Sequence, residues 1–374
     1  MRTRILVAAL LMTSTSAALA QPATAPTPPT PAAPGRGGAR PPAAVRDPNA
    51  AGYVKATELP DGTVPPVEAD GNFIIGATHK AAPEMSPVGA GEPKGDIIRF
   101  TMRSADSKLY PGVLGPQATD ADRAGVHANP APWTRSVSVY VPKQYVPGTA
   151  APVMFTSDGD NRAFNVLDHL IPQKKVPAMI VVAIQAGGGD GPGSERGLEY
   201  DTMSGRYSDF VETEVVPLVE KNAHVKLTTD PDGRGVEGTS SGAAAGMIMA
   251  WFHPERYHRV MTFSGTFVNQ QSPVDPAYPH GAWGLHETLI PKNPVEPLRI
   301  FMECGDHDNG SGGGMHDWVA ANEDMAKVLT DKGYHYKFVF SRNAGHTDRP
   351  TISELYPSVL QWVWQGYTGE KKPN

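Results

Sequence analysis

The sequence predicts an α/β fold on a mostly parallel sheet with helices on both faces. Three observations predict it: largely apolar runs at 153–156, 178–184, 260–263 and 298–304, helical patterns between them, and a glycine-flanked serine at 238–242. Short continuous apolar runs suit central parallel strands covered on both sides, whereas half-exposed strands alternate. Strand–helix alternation along one long segment argues for a layered α/β domain, placed here at 96–370.

In chain order, 96–102 and 135–141 alternate enough to be half-buried strands, 234–237 is a short strand, and 336–340 is the last. Residues 209–220 carry Phe210, Val211, Val215, Leu218 and Val219 at helical spacing. The small, apolar stretch 242–251 is a second helix. A third runs over 318–329, with Asp317 as N-cap and Gly333 as stop, and a terminal helix is expected around 353–364. No internal repeat is present.

The chain has 374 residues, 40% hydrophobic and 19% charged, which is the balance of a soluble globular protein. A net charge of −6 supplies no basic stripe, so nucleic acid is excluded as a partner class. Residues 1–20 read as a secretory signal: Arg2 and Arg4, an apolar stretch at 5–12, then Ala18-Leu19-Ala20 before Gln21. That stretch is too short to span a bilayer and no cysteine follows the cleavage site. A periplasmic or secreted protein without stable membrane insertion is therefore expected. Residues 21–46, rich in Pro and Ala, are expected to be a disordered linker. Residues 47–95 are expected to be an irregular N-terminal arm laid on the main domain, with one apolar patch, Phe73-Ile74-Ile75. Cys304 is the only cysteine, so no internal disulfide can form. Its apolar neighbours mark it as a small core residue.

Gly238-Thr239-Ser240-Ser241-Gly242 matches G-x-S-x-G, a short motif that gains weight from its context. A strand leads in and a helix of nearly side-chain-free residues leads out. A serine lifted above a sheet needs a strained strand-to-helix turn, and glycines on either side remove the Cβ clashes that would forbid it. The helix start aims free N–H groups at a developing oxyanion, with the Ser241 amide as the first donor. The second is expected from the loop after 153–156, at the Gly159 and Asp160 backbone. These features predict an α/β-hydrolase fold with Ser240 as nucleophile.

In that fold the acid and base follow the serine in chain order. Gly305-Asp306-His307-Asp308 follows an apolar strand, and Asp308 is favoured over Asp306 on its offset from the glycine. His346, in the late loop Asn343-Ala344-Gly345-His346-Thr347, is the expected general base. His307, Asp308, His316 and Asp317 lack zinc-site spacing, so no metal is assigned. Gly187-Gly188-Gly189-Asp190-Gly191 fails the nucleotide-binding spacing and reads as a surface loop.

Seven pieces in order resemble the enterochelin esterase and esterase D group of α/β-hydrolases. They are Ser107-Lys108-Leu109-Tyr110-Pro111-Gly112, Val139-Tyr140-Val141-Pro142, Arg196-Gly197-Leu198-Glu199-Tyr200, Glu214-Val215-Val216-Pro217, the elbow, Phe263-Ser264-Gly265-Thr266-Phe267 and the Gly345-His346 loop. The resemblance implies a cofactor-free serine hydrolase acting on siderophore trilactones, polysaccharide-borne acetyl or feruloyl groups, or small thioesters. It supports Ser240, His346 and Asp308, and gives Arg196 and Glu199 structural roles. It departs in the alanine run after Gly242 and does not cover residues before about 95. The loop 268–297 carries Tyr278, Trp283 and His286. Trp283 and His286 are expected in a pocket wall, where aromatics can stack on a sugar or phenolic group or simply pack. The expected function is an exported esterase working through an acyl-enzyme on Ser240, with a small-molecule or saccharide-linked ester as substrate. Sugar-linked or aromatic esters are favoured, since no basic mouth suited to an anionic siderophore is evident. The alternatives are a siderophore esterase, an acyltransferase on the same scaffold and a non-catalytic binding protein.

Overall fold

The apolar runs form strands in the computed structural model of the chain, which describes residues 44, 46, 48–49, 53–112, 132–190, 192–310 and 313–369. The signal segment 1–20 and nearly all of the linker 21–46 lie outside the described residues. The first strands are β1 (Thr57–Glu58), β2 (Gly71–Ile75), β3 (Asp96–Arg103), β4 (Thr134–Val141), β5 (Ala150–Ala151) and β6 (Val153–Thr156). They are followed by β7 (Ile180–Ile184), β8 (Lys226–Leu227), β9 (Arg234–Thr239), β10 (Arg259–Phe263), β11 (Arg299–His307) and β12 (His335–Gly345). Among the described residues ten of these make one sheet, ordered β1-β2-β12-β11-β10-β9-β6-β7-β4-β3. Only β4 runs antiparallel to its neighbours β3 and β7, so the sheet is mostly parallel. β5 and β8 form a separate parallel pair.

The helices are α1 (Ala163–Leu170), α2 (Glu195–Tyr200), α3 (Arg206–Phe210), α4 (Val216–Ala223), α5 (Ser241–Phe252), α6 (Ile290–Lys292), α7 (Trp318–Lys332) and α8 (Arg349–Trp364). The two-residue period of the strands divides their side chains between two cores. Val153, Phe155, Val236, Ile300 and Met302 pack with Phe210, Ala244 and Met325 of α3, α5 and α7. Met154, Met261, Phe263 and Phe301 pack with Leu167 of α1 and Leu355 and Leu360 of α8. Both faces are thus covered, which is why these strands read as largely apolar runs without strict alternation.

Three elements differ from expectation. The helix expected at 209–220 is α3 and α4 joined by a wider turn over Val211–Val215, where the Val216 N–H reaches back to the Val211 carbonyl. Pro217, which has no N–H to donate, follows at once. β11 and β12 run past the expected 304 and 340 into the loops that carry Asp308 and His346. The segment before residue 96 is not irregular throughout: β2 pairs in parallel with β12, Phe73 opposite Val339, and β1 pairs with β2. Burial of Phe73, Ile74 and Ile75 drives that pairing, and the patch extends the sheet.

Candidate active site

The peptide turns from β9 into α5 at Ser240, whose φ of 55° and ψ of −128° are sparsely populated for a side-chain-bearing residue. The surroundings hold it there. The Ser240 N–H donates to the Phe263 carbonyl at 3.0 Å, and its carbonyl accepts the Thr266 N–H at 3.2 Å. A Cβ on Gly238 would lie 2.2 Å from the Gly242 carbonyl carbon, and one on Gly242 would lie 2.0 Å from Ser157 Oγ. Real Cβ atoms do not approach so closely, so these two glycines are required by space. The alanine run that departs from the related pattern falls at Ala243, Ala244 and Ala245, all buried, where a methyl fits.

β11 and β12 deliver the other two groups. They approach so closely that a Cβ on Gly305 would lie 2.3 Å from the Ala344 carbonyl oxygen, and their register shifts between Gly305 and His307. With its proton on Nδ1, His346 donates to Asp308 Oδ1 at 2.5 Å, and its bare Nε2 accepts the Ser240 hydroxyl at 2.8 Å. Asp308 is wholly buried and also accepts the Asn309 N–H at 2.7 Å. Asp306 plays a different part: its carboxylate accepts the Asn343 and Ala344 N–H groups at 2.9 and 3.1 Å, holding the loop before His346. The Thr347 N–H, just beyond, donates to Ser264 Oγ at 2.8 Å. A serine, a neutral imidazole and a buried carboxylate in this line can pass the hydroxyl proton to the ring and stabilise the imidazolium that results.

The expected oxyanion donors are placed unequally. Ser241 opens α5, where backbone N–H groups have no partner within the helix. Its hydroxyl accepts from Gln270 Nε2 at 3.0 Å, and the same amide donates to Asp201 Oδ2 at 2.9 Å. Burial lifts the Asp201 carboxyl to about 6. The Asp160 N–H is bonded to the Ser157 carbonyl at 3.0 Å and is withdrawn as a donor. The tight turn Ser157–Gly159 closes that bond, which the polar composition alone did not reveal. The Asp158 N–H is likewise bonded, to the Tyr200 hydroxyl at 3.0 Å, so Gly159 is the candidate of the two expected loop donors.

Trp283 and His286 stand edge to face with one another, ring centroids 4.5 Å apart. Burial pushes the His286 imidazole down to about 4, so it stays neutral. Two side chains not singled out from the sequence lie beside the serine and the imidazole. Thr266 Oγ1 is 3.4 Å from Ser240 Oγ and accepts the Trp318 indole N–H at 3.1 Å. The Trp318 ring stands edge-on to His346 at 5.8 Å. Cys304 is a buried core residue, and its thiol also reaches Asp308 Oδ2 at 3.4 Å. Glu199 pairs with buried Arg135, and Arg196 with Asp158 in the loop after β6. Among the described residues no three His, Cys, Asp or Glu side chains converge as a metal site, and no helix is long and apolar enough to cross a membrane.

This sheet order, with a serine at the β9–α5 turn and a histidine and carboxylate beyond later strands, defines an α/β-hydrolase. The chain belongs to the family described as "Putative esterase", which matches residues 129–357, and it is a carboxylic-ester hydrolase. It is 23% identical over 193 residues to the uncharacterized protein YbbA of Bacillus subtilis, covering 46% of this chain and 69% of that protein. Similar solved structures include the ferulic acid esterase AmCE1/Fae1A of Anaeromyces mucronatus in complex with ferulic acid, with TM-score 0.53 and 14% identity. That match covers 78% of this chain and 98% of the other. The enterochelin esterase of Shigella flexneri matches with TM-score 0.50 and 20% identity over 75% of this chain, which spans 60% of that protein. Both likenesses bear on the fold.

Proposed function

We propose that the protein is an exported serine esterase that cleaves a carboxylic ester through an acyl-enzyme on Ser240. The observation that carries this reading is the continuous line from Ser240 Oγ through His346 to the buried Asp308, with separations of 2.8 and 2.5 Å. Ser240 attacks the ester carbonyl as its proton passes to His346 Nε2. The imidazolium then protonates the leaving alcohol, and water repeats the sequence to release the acid. The amides of Ser241 and Gly159 receive the oxyanion. Export rests on residues 1–20, with cleavage after Ala20, and places the mature protein in the periplasm or medium. The favoured substrate is a sugar-linked acetyl or feruloyl ester, or another aromatic ester. It is supported by Trp318, because groups beside the imidazole that protonates the leaving alcohol lie next to that alcohol.

The test is fluorophosphonate labelling of the mature protein with the modified peptide mapped, beside Ser240→Ala and His346→Ala. Label on Ser240, absent from both variants, is the expected result. A folded wild-type protein that takes no label would sink the serine mechanism. Hydrolysis of acetyl, feruloyl and trilactone esters, with and without an alcohol acceptor, then separates the substrate classes and any acyl transfer. An N-terminus at Gln21 in the exported fraction is the expected sign of processing.

A further inference from the structure

The loop after β6 sets a carboxylate where an ester hydrolase can least accommodate negative charge. Asp158 and Gly159 both have left-handed backbone, φ 54° and 68°. A Cβ placed on Gly242, in the first turn of α5, would lie 3.3 Å from Asp158 Oδ2. The carboxylate therefore sits against the helix start whose N–H groups would meet a tetrahedral oxyanion. An uncompensated carboxylate there would oppose the charge that develops in the transition state.

The carboxylate is compensated. Arg196 of α2 takes both of its oxygens, Nε to Oδ1 and Nη2 to Oδ2, each at 2.8 Å. Two parallel N–H bonds fix direction as well as charge, which a lysine cannot do. The guanidinium lies over the Tyr200 ring at 5.1 Å, and its Nη1 reaches Asp190 at 3.3 Å. Tyr200, four residues along the same helix, accepts the Asp158 N–H at 3.0 Å. One short helix thus holds the carboxylate, the amide and the left-handed turn of Asp158 together, one residue before Gly159.

We propose that Arg196 is a positioning residue for ester hydrolysis. It cancels the Asp158 charge beside the oxyanion and fixes the turn that presents the Gly159 amide. The inference rests on the serine-esterase reading above and deepens it. It differs from a purely structural brace in one consequence. With Arg196 gone, the bare Asp158 carboxylate becomes harmful, so removing it as well restores part of the rate. Were the pair only a brace, the second substitution would leave the rate low or lower it further.

The experiment compares Arg196→Ala, Arg196→Lys and Arg196→Ala/Asp158→Ala in the mature protein, with p-nitrophenyl acetate as substrate and phenylboronic acid as the tetrahedral probe on Ser240. In Arg196→Ala, kcat is expected to fall about 10²-fold, the scale of a lost oxyanion donor. KM should stay within about threefold, while boronate affinity falls in step with kcat, as loss confined to the transition state requires. Arg196→Lys should be intermediate, and the double variant about tenfold faster than Arg196→Ala, the size of one damaging charge in a screened site. A double variant no faster than Arg196→Ala, or an Arg196→Ala enzyme of wild-type kcat, overturns the proposal. If Arg196→Ala does not fold, Arg196→Gln and Arg196→Gln/Asp158→Asn carry the same comparison. Fluorophosphonate labelling of the wild type separates the two failures: label on Ser240 without the rescue defeats only the role of Arg196, and no label defeats the serine reading beneath it.

Discussion

Asp306 and Asp308 stand two residues apart on one sheet edge, yet the shift of register after Gly305 sends them to different partners. Asp308 meets His346 Nδ1, while Asp306 meets two backbone N–H groups of the loop before it. Their substitutions should therefore fail differently. Asp308→Asn keeps the shape but favours the wrong imidazole tautomer, and kcat is expected to drop about 10⁴-fold with little change in Tm. Asp306→Asn weakens the loop that carries the base, and should lower Tm with a kcat loss of about tenfold or less, one to three kcal/mol being typical of a broken buried hydrogen bond. Equal losses of kcat in the two variants would remove this division of roles. Ser240, His346 and Asp308 were legible in the sequence because a strained serine needs flanking glycines and the acid and base follow strands in chain order. Thr266, Trp318 and Cys304 were not. Each reads as an ordinary core or helix-start residue, and only the crossing of β10, β11 and α7 brings it to the serine, the imidazole or the acid.

The arm before β3 acts at the scale of elements. β2 covers the edge of β12, and several contacts reach the parts that carry the acid and base. Ala44 N–H donates to the Asp306 carbonyl at 2.7 Å, Asn343 Nδ2 to the Ala77 carbonyl at 3.2 Å, and Ala82 N–H to the Ser353 carbonyl at 3.0 Å. Arg46 pairs with Glu323 of α7 at 2.5 Å, both buried. His79 bridges Glu354 of α8 at 2.8 Å and the Arg342 carbonyl at 2.7 Å. A strand edge stripped of its partner exposes a row of backbone groups and invites aggregation. A chain starting at residue 44 is therefore expected to keep its activity, whereas one starting at 96 should aggregate or lose most of its kcat. Sedimentation and kcat on the two truncations check this. Full activity in the shorter chain would show that the arm is dispensable. The apolar patch at 73–75 was visible beforehand, but its strand was not, because three apolar residues among prolines and glycines carry no period until β12 supplies a register.

At the scale of the whole molecule, the core facing α1 and α8 encloses two carboxyls on the strands that lead to the site. Glu237 of β9 accepts the Tyr356 hydroxyl at 3.0 Å, and Glu303 of β11 lies buried five residues before Asp308. Burial, as the largest cause, pushes both up to about 8. An unfolded glutamate titrates near 4.5, so between there and pH 8 the unfolded chain releases protons that the native state keeps. Stability from these two groups is therefore fully present below about 4.5 and is lost as pH rises through 8. His286, held down to about 4, acts in the opposite sense, but only below its ordinary value of 6.5. The window from pH 6.5 to 8 thus isolates the carboxyls from it. Within that window Glu237→Gln, which stays neutral, is expected to lose less stability than the wild type by on the order of 1–2 kcal/mol. In a domain of this size that is roughly a few degrees in Tm. The reading is the difference in Tm between the two pH values, not Tm itself, because the new amide also leaves a buried donor to satisfy at every pH. Parallel slopes for variant and wild type would mean that Glu237 is ionised in the folded protein at neutral pH. The sheet would then carry a negative charge under the serine strand, balanced by Arg162, whose attraction already acts on Glu237.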